Sequence, residues 1–150
     1  MRKKYTFPLV RVALTGVLML ALPALADDAV PPFSRGVMFG NSGKFIHTDG
    51  ATLYRAICQG CHMPDARGAK GAGEYPALAA NPKLAAKQFA AARVLAGYGN
   101  MPSFAGNLSD AQVADVVNYV RTNFDNHYND TLSADEIAPM REAFNRENRQ

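Results

Sequence analysis

One pentapeptide, Cys58-Gln59-Gly60-Cys61-His62, decides how this chain is expected to fold. It places two thiols three residues apart and an imidazole directly after them, so all three side chains can reach one bound group. In an exported protein this spacing is typical of covalent haem attachment, in which the thiols add across two vinyl groups and the imidazole binds iron. The motif therefore predicts one covalent haem c, held by Cys58, Cys61 and His62.

Three other kinds of site share part of this pattern. Two cysteines at this spacing also form redox-active dithiols, disulfides and half of many zinc sites. A thioredoxin-like dithiol would be expected in a βαβ context, whereas Ala, Gly and helix signals surround this motif. A structural zinc needs four ligands, but the chain has two cysteines and three histidines, and His47 and His127 are far from the motif. Haem attachment is the favoured interpretation because it also uses the adjoining histidine.

The first 26 residues differ from the rest of the chain. They contain four basic residues and no acidic ones, and a largely apolar run of eleven residues, Val12 to Leu22, precedes Pro23 and Ala24-Leu25-Ala26. This pattern indicates a signal peptide, and the run is shorter than the roughly 20 residues that span a bilayer. We expect cleavage after Ala26, export to the periplasm and no membrane span after processing. A retained membrane anchor is the alternative.

Removal of this segment changes the net charge. The segment holds four of the 16 basic residues and none of the 13 acidic ones, so the formal charge of the remaining 124 residues is −1 rather than +3. No cluster of basic residues interleaved with aromatic ones occurs elsewhere. The sequence therefore predicts no nucleic-acid partner, and its length predicts one domain.

Helix signals surround the motif and predict an all-α domain. Asp49 can cap a helix that delivers the cysteines at its end. Asn81-Pro82 predicts the start of a second helix, which would run through to Gly97. Ser109 and Gln112 form a capping box for a third. This last helix has an apolar stripe of Val113, Val116, Val117, Val120 and Phe124, with Asp115, Asn118 and Arg121 off it.

A further helix is predicted near the end of the chain. Ser133 and Glu136 form its capping box, and Pro139 should bend or end it early because proline removes an intrahelical hydrogen bond. The chain is thus expected to divide into a signal peptide (1–26), an irregular N-terminal strap (27–48), a helical domain wrapped around one covalent haem (49–124) and a short helical C-terminal extension (125–150). The central part is small, so we expect it to fold poorly without haem.

An electron-carrying haem needs a second axial ligand on its iron. Met63 adjoins His62 and so cannot reach the opposite face of the porphyrin. Met101 lies 39 residues downstream of His62, after a complete helix and between Gly99 and Pro102, which suits a ligand from the far side. The other candidates are Met38, Met140, His47 and His127.

Together these motifs resemble the class I c-type cytochromes. They are most similar to the small monohaem cytochromes that serve periplasmic dehydrogenases and respiratory oxidases. The resemblance covers residues 49–124 and extends weakly to Arg141. It is carried by four motifs in order: Cys58-Gln59-Gly60-Cys61-His62, Tyr75-Pro76-Ala77-Leu78, Met101-Pro102-Ser103-Phe104 and Val117-Asn118-Tyr119-Val120-Arg121.

The resemblance implies a role for each matching residue. His62 would be the proximal iron ligand and Met101 the distal one, with thioethers at Cys58 and Cys61. The carbonyl of Pro76 would bind the other ring nitrogen of His62 and so strengthen its donation to iron. The remaining implied positions are Leu78, lining the haem face, and Gly50 with Tyr119, where the first and last core helices cross.

The resulting hypothesis is a one-electron carrier rather than an enzyme. A filled iron site, with Met as a ligand that raises the reduction potential, would pass electrons from a dehydrogenase or quinol-oxidising partner to an oxidase or another cytochrome. The alternatives are a dedicated subunit of a dehydrogenase complex and a gas-binding haem sensor. If four basic residues surround the haem edge, an acidic partner surface is expected; these are Arg67, Lys70, Lys83 and Lys87.

Overall fold

The computed structural model describes residues 43–71 and 73–149. The expected signal peptide and residues 27–42 of the strap lie outside them. Within the described ranges the one sheet is a two-stranded hairpin and the other elements are helical, which confirms the all-α prediction. The elements are α1 (Gly50–Leu53), a π-helical turn (Tyr54–Cys58), α2 (Gln59–His62), β1 (Ala69–Lys70), β2 (Glu74–Tyr75), a 3-10 helix (Pro82–Ala85), α3 (Lys87–Ala96), α4 (Asp110–Thr122) and α5 (Ala134–Glu147).

The first helical segment runs from α1 through the π-helical turn into α2 and carries both cysteines. Asp49 caps it as predicted, since its carboxylate accepts a hydrogen bond from the backbone amide of Thr52 at 2.8 Å. Leu53 and Tyr54 are buried in the core. The π-helical turn was not predicted. Such turns are rare in proteins, but those that occur often lie at functional sites. This one ends at Cys58.

Helices α1, α3 and α5 all pack against α4. The predicted capping box of α4 is present: the Gln112 amide donates to Ser109 Oγ at 3.2 Å, and the Ser109 amide donates to Gln112 Oε1 at 2.8 Å. At the crossing with α1, a Cβ on Gly50 would lie only 2.7 Å from Cβ of Tyr119, so the predicted crossing is confirmed. The valines of α4 at 113, 116, 117 and 120 are all buried.

Arg121 does not lie where the pattern of α4 predicted. It was expected off the apolar stripe, yet its side chain is fully buried. Its guanidinium donates to the carbonyl of Leu84 at 2.8 Å and to the carbonyl of Ala85 at 3.3 Å. It also binds both the carbonyl and the carboxylate of Asp130. Burial is possible because the donors of the charged group find acceptors inside the protein.

The helix predicted from Asn81-Pro82 to Gly97 is two elements rather than one. Asn81 caps the 3-10 helix, and its side chain accepts from the Lys83 amide at 3.0 Å. Ala86 then has an extended backbone, and α3 begins at Lys87. The carbonyls of residues 84 and 85 bind the guanidinium of Arg121 instead of amides one turn later, which explains why the helix is interrupted.

Two further helix ends differ from expectation. α4 stops at Thr122, so Phe124 is outside it, with φ of 57°. Phe124 still packs on the core because its ring lies 4.8 Å from that of Tyr54, centroid to centroid. In α5, Pro139 does not end the element, which continues to Glu147. The helix tolerates the proline because it is held on both sides, by its capping box before and by Arg141 after.

The contact made by Arg141 fixes α5 to the start of α4. Its guanidinium binds the Asp110 carboxylate at 2.7 Å and the carbonyl of Leu108 at 2.9 Å, and it also contacts the carbonyl of Ala105. No helix in the described ranges has the length and apolar character needed to cross a membrane.

Candidate functional site

Both cysteines of the motif are free thiols at the end of the first helical segment. Cys58 is half-buried against the core, and Cys61 is exposed. In residues 43–71 and 73–149, no group of three or more His, Cys, Asp or Glu side chains could hold a metal ion by itself. The described residues therefore contain no zinc site of the kind weighed above.

The electrostatics of Cys58 argue against this residue as the attacking thiol of a redox-active dithiol. Burial, with a smaller contribution from Cys61, raises the pKa of the Cys58 thiol to about 12. The attacking thiol of a reactive dithiol has the opposite property, since attack requires the thiolate and its pKa is lowered, so Cys58 does not suit that role. A half-buried Cys58 beside an exposed Cys61 fits two thiols that are joined covalently to a bound group such as haem.

His62 is oriented as a metal-binding histidine requires. Its Nδ1 lies 2.9 Å from the carbonyl oxygen of Pro76. Because a carbonyl oxygen can only accept, Nδ1 carries the proton, and the lone pair of the neutral ring is then on Nε2. The hydrogen bond that the resemblance implied is thus present, and it fixes both the tautomer and the orientation of the ring.

A short hairpin brings Pro76 beside His62. After the motif, the Gly68 amide donates to the carbonyl of His62 at 3.0 Å. β1 then pairs with β2 in antiparallel register, with Ala69 opposite Tyr75, so the chain returns to His62 at Pro76. The sequence predicted only a loose glycine-rich run here, because two paired residues on each strand are too few to show an alternating pattern.

Tyr54 supports the other side of the motif. Its hydroxyl donates to the carbonyl of Met63 at 2.8 Å. Burial raises the pKa of Tyr54, so this hydroxyl remains a donor. Met63 has a positive φ of 67°, which is uncommon for a residue with a side chain, and the bond from Tyr54 helps to hold it. The sequence had indicated Tyr54 only as a core residue.

Met101 lies in a tight loop that follows α3. The amide of Tyr98 donates to the carbonyl of Met101, and the amide of Met101 donates to the carbonyl of Tyr98, both at 3.0 Å. The loop is joined to α3 by a further bond, from the Phe104 amide to the carbonyl of Val94 at 3.0 Å. The backbone of Met101, a half-buried residue, is therefore held in place. Its bond to iron remains a prediction.

Leu78 is held by a residue that the sequence did not indicate. Its amide donates to the carbonyl of Ala66 at 2.7 Å, and its carbonyl accepts from the side chain of Asn126 at 2.8 Å. The buried Asn126 amide also binds the carbonyl of Val120 and the amide of Asn81, both at 2.9 Å. Asn126 lies in the irregular segment that follows α4, so no periodic pattern in the sequence could have predicted its burial.

Half-buried apolar side chains occur in each segment that carries a motif and also in α3. Apart from those named above, they include Ile57 before the cysteines, Val94 in α3 and Phe104 after Met101. Each packs against the buried core with part of its surface still accessible. Two free thiols, an oriented imidazole and these side chains fit a covalently bound haem, which is apolar over most of its surface.

The basic residues expected around the haem edge are not all available to a partner. Lys87 is engaged within the protein, since its ammonium lies 2.7 Å from the Glu136 carboxylate and 2.9 Å from the carbonyl of Thr131. Lys87 is therefore excluded from the basic residues that were predicted to face an acidic partner. Arg67 makes only an exposed 3.8 Å contact with Asp65, and Lys70 makes a similar 3.8 Å contact with Glu74.

Comparison with known proteins identifies the family. Residues 47–120 match the family described as "Cytochrome C oxidase, cbb3-type, subunit III". The fructose dehydrogenase cytochrome subunit of Gluconobacter japonicus is 34% identical over 116 residues, a match that covers 67% of this chain and 24% of that protein. The cytochrome c subunit of alcohol dehydrogenase (quinone) from Gluconobacter oxydans (strain 621H) is 31% identical, with 61% of this chain and 22% of that protein covered.

A second alcohol dehydrogenase (quinone) cytochrome c subunit, from Gluconacetobacter polyoxogenes, is 29% identical, with 67% of this chain and 24% of that protein covered. The chain thus spans about a quarter of the length of the relatives it matches. Because the stretch matched to the family contains the attachment motif and the helices that position it, the chain belongs to the cytochrome c family, electron carriers that hold haem c and its iron covalently.

Proposed function

We propose that this chain is a monohaem carrier of single electrons, with Cys58 and Cys61 as attachment points and His62 and Met101 as iron ligands. The observation that carries the proposal is the hydrogen bond from His62 Nδ1 to Pro76, directly after two free thiols. It leaves Nε2 free to bind iron, and it makes the imidazole a stronger donor.

The residues of the chain serve binding and orientation rather than catalysis. Haem supplies an iron that changes oxidation state by one electron, and a sixth ligand from Met101 would leave no open site for a substrate. A thioether ligand also raises the reduction potential. Leu78 would cover part of the haem face, held in position by Asn126. This arrangement suits a carrier better than a gas sensor, which needs an open coordination site.

The proposed location is the periplasm. Support comes from the signal-peptide pattern of residues 1–26 and from covalent haem attachment, which takes place outside the cytoplasm in bacteria. We propose cleavage after Ala26. Mass spectrometry of the protein purified from the periplasmic fraction tests this, because cleavage there gives an N-terminus at Asp27, and retention of residues 1–26 contradicts it.

The proposed partners are other redox proteins. The matched relatives are cytochrome subunits of fructose and alcohol dehydrogenases, which favours a dehydrogenase as the electron donor and an oxidase or another cytochrome as the acceptor. The chain would act either as a free carrier or as a subunit of such a complex. Size-exclusion chromatography of a native extract separates these cases: a haem-containing peak at the mass of the single chain favours the free carrier.

Substitution of Met101 tests the function directly. In the haem-loaded protein, Met101→Ala should lower the reduction potential by a sizeable part of the roughly 0.8 V over which axial ligands act. The reduced variant should also bind carbon monoxide, which the wild type should not. Met140→Ala is the matched control, because Met140 is a half-buried methionine of α5.

Three results would contradict the proposal. A wild-type mass equal to that of the bare polypeptide would exclude covalent haem. Fast binding of carbon monoxide by the wild type would favour the gas sensor. An unchanged potential and spectrum in Met101→Ala would exclude Met101 as the ligand.

A further inference from the structure

Two glycines lie in unusually close contact with the two segments that carry the proposed ligands. A Cβ on Gly68 would lie 2.1 Å from the carbonyl oxygen of Tyr75 and 2.9 Å from the carbonyl carbon of Pro76. A Cβ on Gly97 would lie 2.4 Å from the carbonyl oxygen of Met101 and 2.8 Å from the carbonyl carbon of Pro102. Real Cβ atoms essentially never come within 3.0 Å of another heavy atom in this way. Each glycine therefore faces the backbone of a proline and the residue before it, at a distance that no side chain permits.

Both glycines are also hydrogen-bonded on their other side. The Gly68 amide donates to the carbonyl of His62 at 3.0 Å, so Gly68 touches both residues of the His62–Pro76 hydrogen bond. The Gly97 amide donates to the carbonyl of Arg93 at 2.9 Å and ends α3. Gly97 therefore joins the end of α3 to the loop that contains Met101.

Backbone conformation alone does not account for these contacts. Gly68 and Gly97 have φ of +69° and +73°, a region that favours glycine. Gly43 has φ of +71° and nothing within 4 Å of a Cβ placed there. The close approach is thus a separate feature from the positive φ. Gly50 also makes a close contact, but at the crossing of α1 and α4 rather than beside a proposed ligand.

We propose that Gly68 and Gly97 are positioning residues for the two axial ligands of the iron. Gly68 keeps the Pro76 carbonyl in hydrogen-bonding reach of His62, and Gly97 keeps the Met101 loop seated on α3. This inference rests on the haem site proposed above. A methyl group at Gly68 would push the Tyr75-Pro76 backbone away by about 1 Å, which takes a 2.9 Å hydrogen bond beyond its normal range.

The two substitutions should change the reduction potential in opposite directions. Gly68→Ala weakens the hydrogen bond to His62 Nδ1, so the imidazole donates less strongly, the oxidised iron is less stabilised, and the potential rises. Gly97→Ala displaces Met101, so the thioether that raises the potential is lost and the potential falls. Only Gly97→Ala should allow the reduced protein to bind carbon monoxide.

The experiment compares four alanine variants of the haem-loaded protein, made at Gly68, Gly97, Gly43 and Gly50. Gly43→Ala controls for the cost of a positive φ, and Gly50→Ala controls for a close contact that serves only the packing of helices. The measurements are the reduction potential, carbon monoxide binding and the thermal unfolding temperature. Gly43→Ala and Gly50→Ala should lose stability without a directed shift in potential or a gain in carbon monoxide binding.

The proposal is overturned if Gly68→Ala and Gly97→Ala shift the potential in the same direction, or no further than Gly43→Ala. Loss of stability with unchanged potential would likewise show that they serve only the fold, as Gly50 does. A wild type without covalent haem, or one that already binds carbon monoxide, would instead refute the proposed function. If an alanine variant does not accumulate, hydrogen exchange of backbone amides in the haem-loaded wild type tests the proposal instead. The Gly68 and Met101 amides should exchange as slowly as those of α4, and fast exchange at either overturns the proposal.

Discussion

At the scale of single residues, Arg121 shows that a helical pattern in the sequence does not always predict whether a side chain is buried. Its position on α4 suggested a solvated face, but the side chain is long enough to reach acceptors in two other segments. Its guanidinium binds the carbonyls of Leu84 and Ala85 and the carboxylate of Asp130. The hydrogen bond from Arg121 lowers the pKa of Asp130. The helical period correctly predicted the burial of the four valines of α4, but it could not show the partners of Arg121, which lie in other segments.

Replacement of Arg121 tests this role. Arg121→Met should lower the free energy of unfolding by about 2–4 kcal/mol, because it leaves buried carbonyl groups without donors. Arg121→Lys should recover only part of the loss, since an ammonium lacks the planar fork of the guanidinium. The measurement is guanidinium chloride unfolding of the haem-loaded protein. The exposed Arg146 supplies the control, for which Arg146→Met should change stability by less than about 0.5 kcal/mol. A loss below about 1 kcal/mol at Arg121 would contradict the assigned role.

At the scale of elements, α5 shows that helix ends are decided by local chemistry and helix continuation by packing. The capping box of Ser133 and Glu136 is present as predicted. The early end expected at Pro139 is absent, because Ile137 is fully buried and Arg141 is fixed to Asp110. Tertiary contacts of this kind can offset the roughly 3 kcal/mol that proline costs inside a helix.

The docking of α5 predicts how stability changes with pH. Hydrogen bonds from Lys87 and from the Ser133 backbone lower the pKa of Glu136. A lowered folded pKa contributes stability that is present above the unfolded pKa, about 4.3 for Glu, and is lost as pH falls through the folded pKa. Glu136→Gln should therefore flatten the loss of stability below about pH 4.3 in acid unfolding curves.

The matched control for this prediction is Glu142→Gln. Glu142 lies on the same helix and makes only an exposed 4.0 Å contact with Arg146. Its substitution should leave the acid branch of the curve unchanged. Equal slopes for the wild type and Glu136→Gln would mean that the pair with Lys87 does not hold α5 in place.

At the scale of the whole molecule, the fully buried core joins α1 and the π-helical turn to α3, α4 and α5, while the motif-bearing segments keep apolar side chains half-buried. A domain of this size buries a modest fraction of its surface, so covalent haem would supply much of the missing apolar contact. The double substitution Cys58→Ala with Cys61→Ala should therefore lose most of the cooperative thermal transition seen by circular dichroism. A cooperative transition as sharp as that of the haem-loaded wild type would show that the polypeptide folds without its cofactor.

The sequence by itself determined the attachment motif, the helical class and the capped starts of α1, α4 and α5. These depend on residues within one turn of each other, whose chemistry does not need the rest of the chain. The order of the four motifs was enough to indicate the cytochrome family, because each motif is recognised from its own few residues.

Only the tertiary structure decided which distant segments meet. The burial of Arg121, the interruption of the second helix at Ala86, the bonds of Asn126 and the contacts of Gly68 and Gly97 all join segments that are separate in sequence. Hydrogen bonds and close approaches of this kind depend on the packed positions of both partners. The sequence pattern of one segment can show which of its residues are able to make such a contact, but it does not identify the residues that they contact.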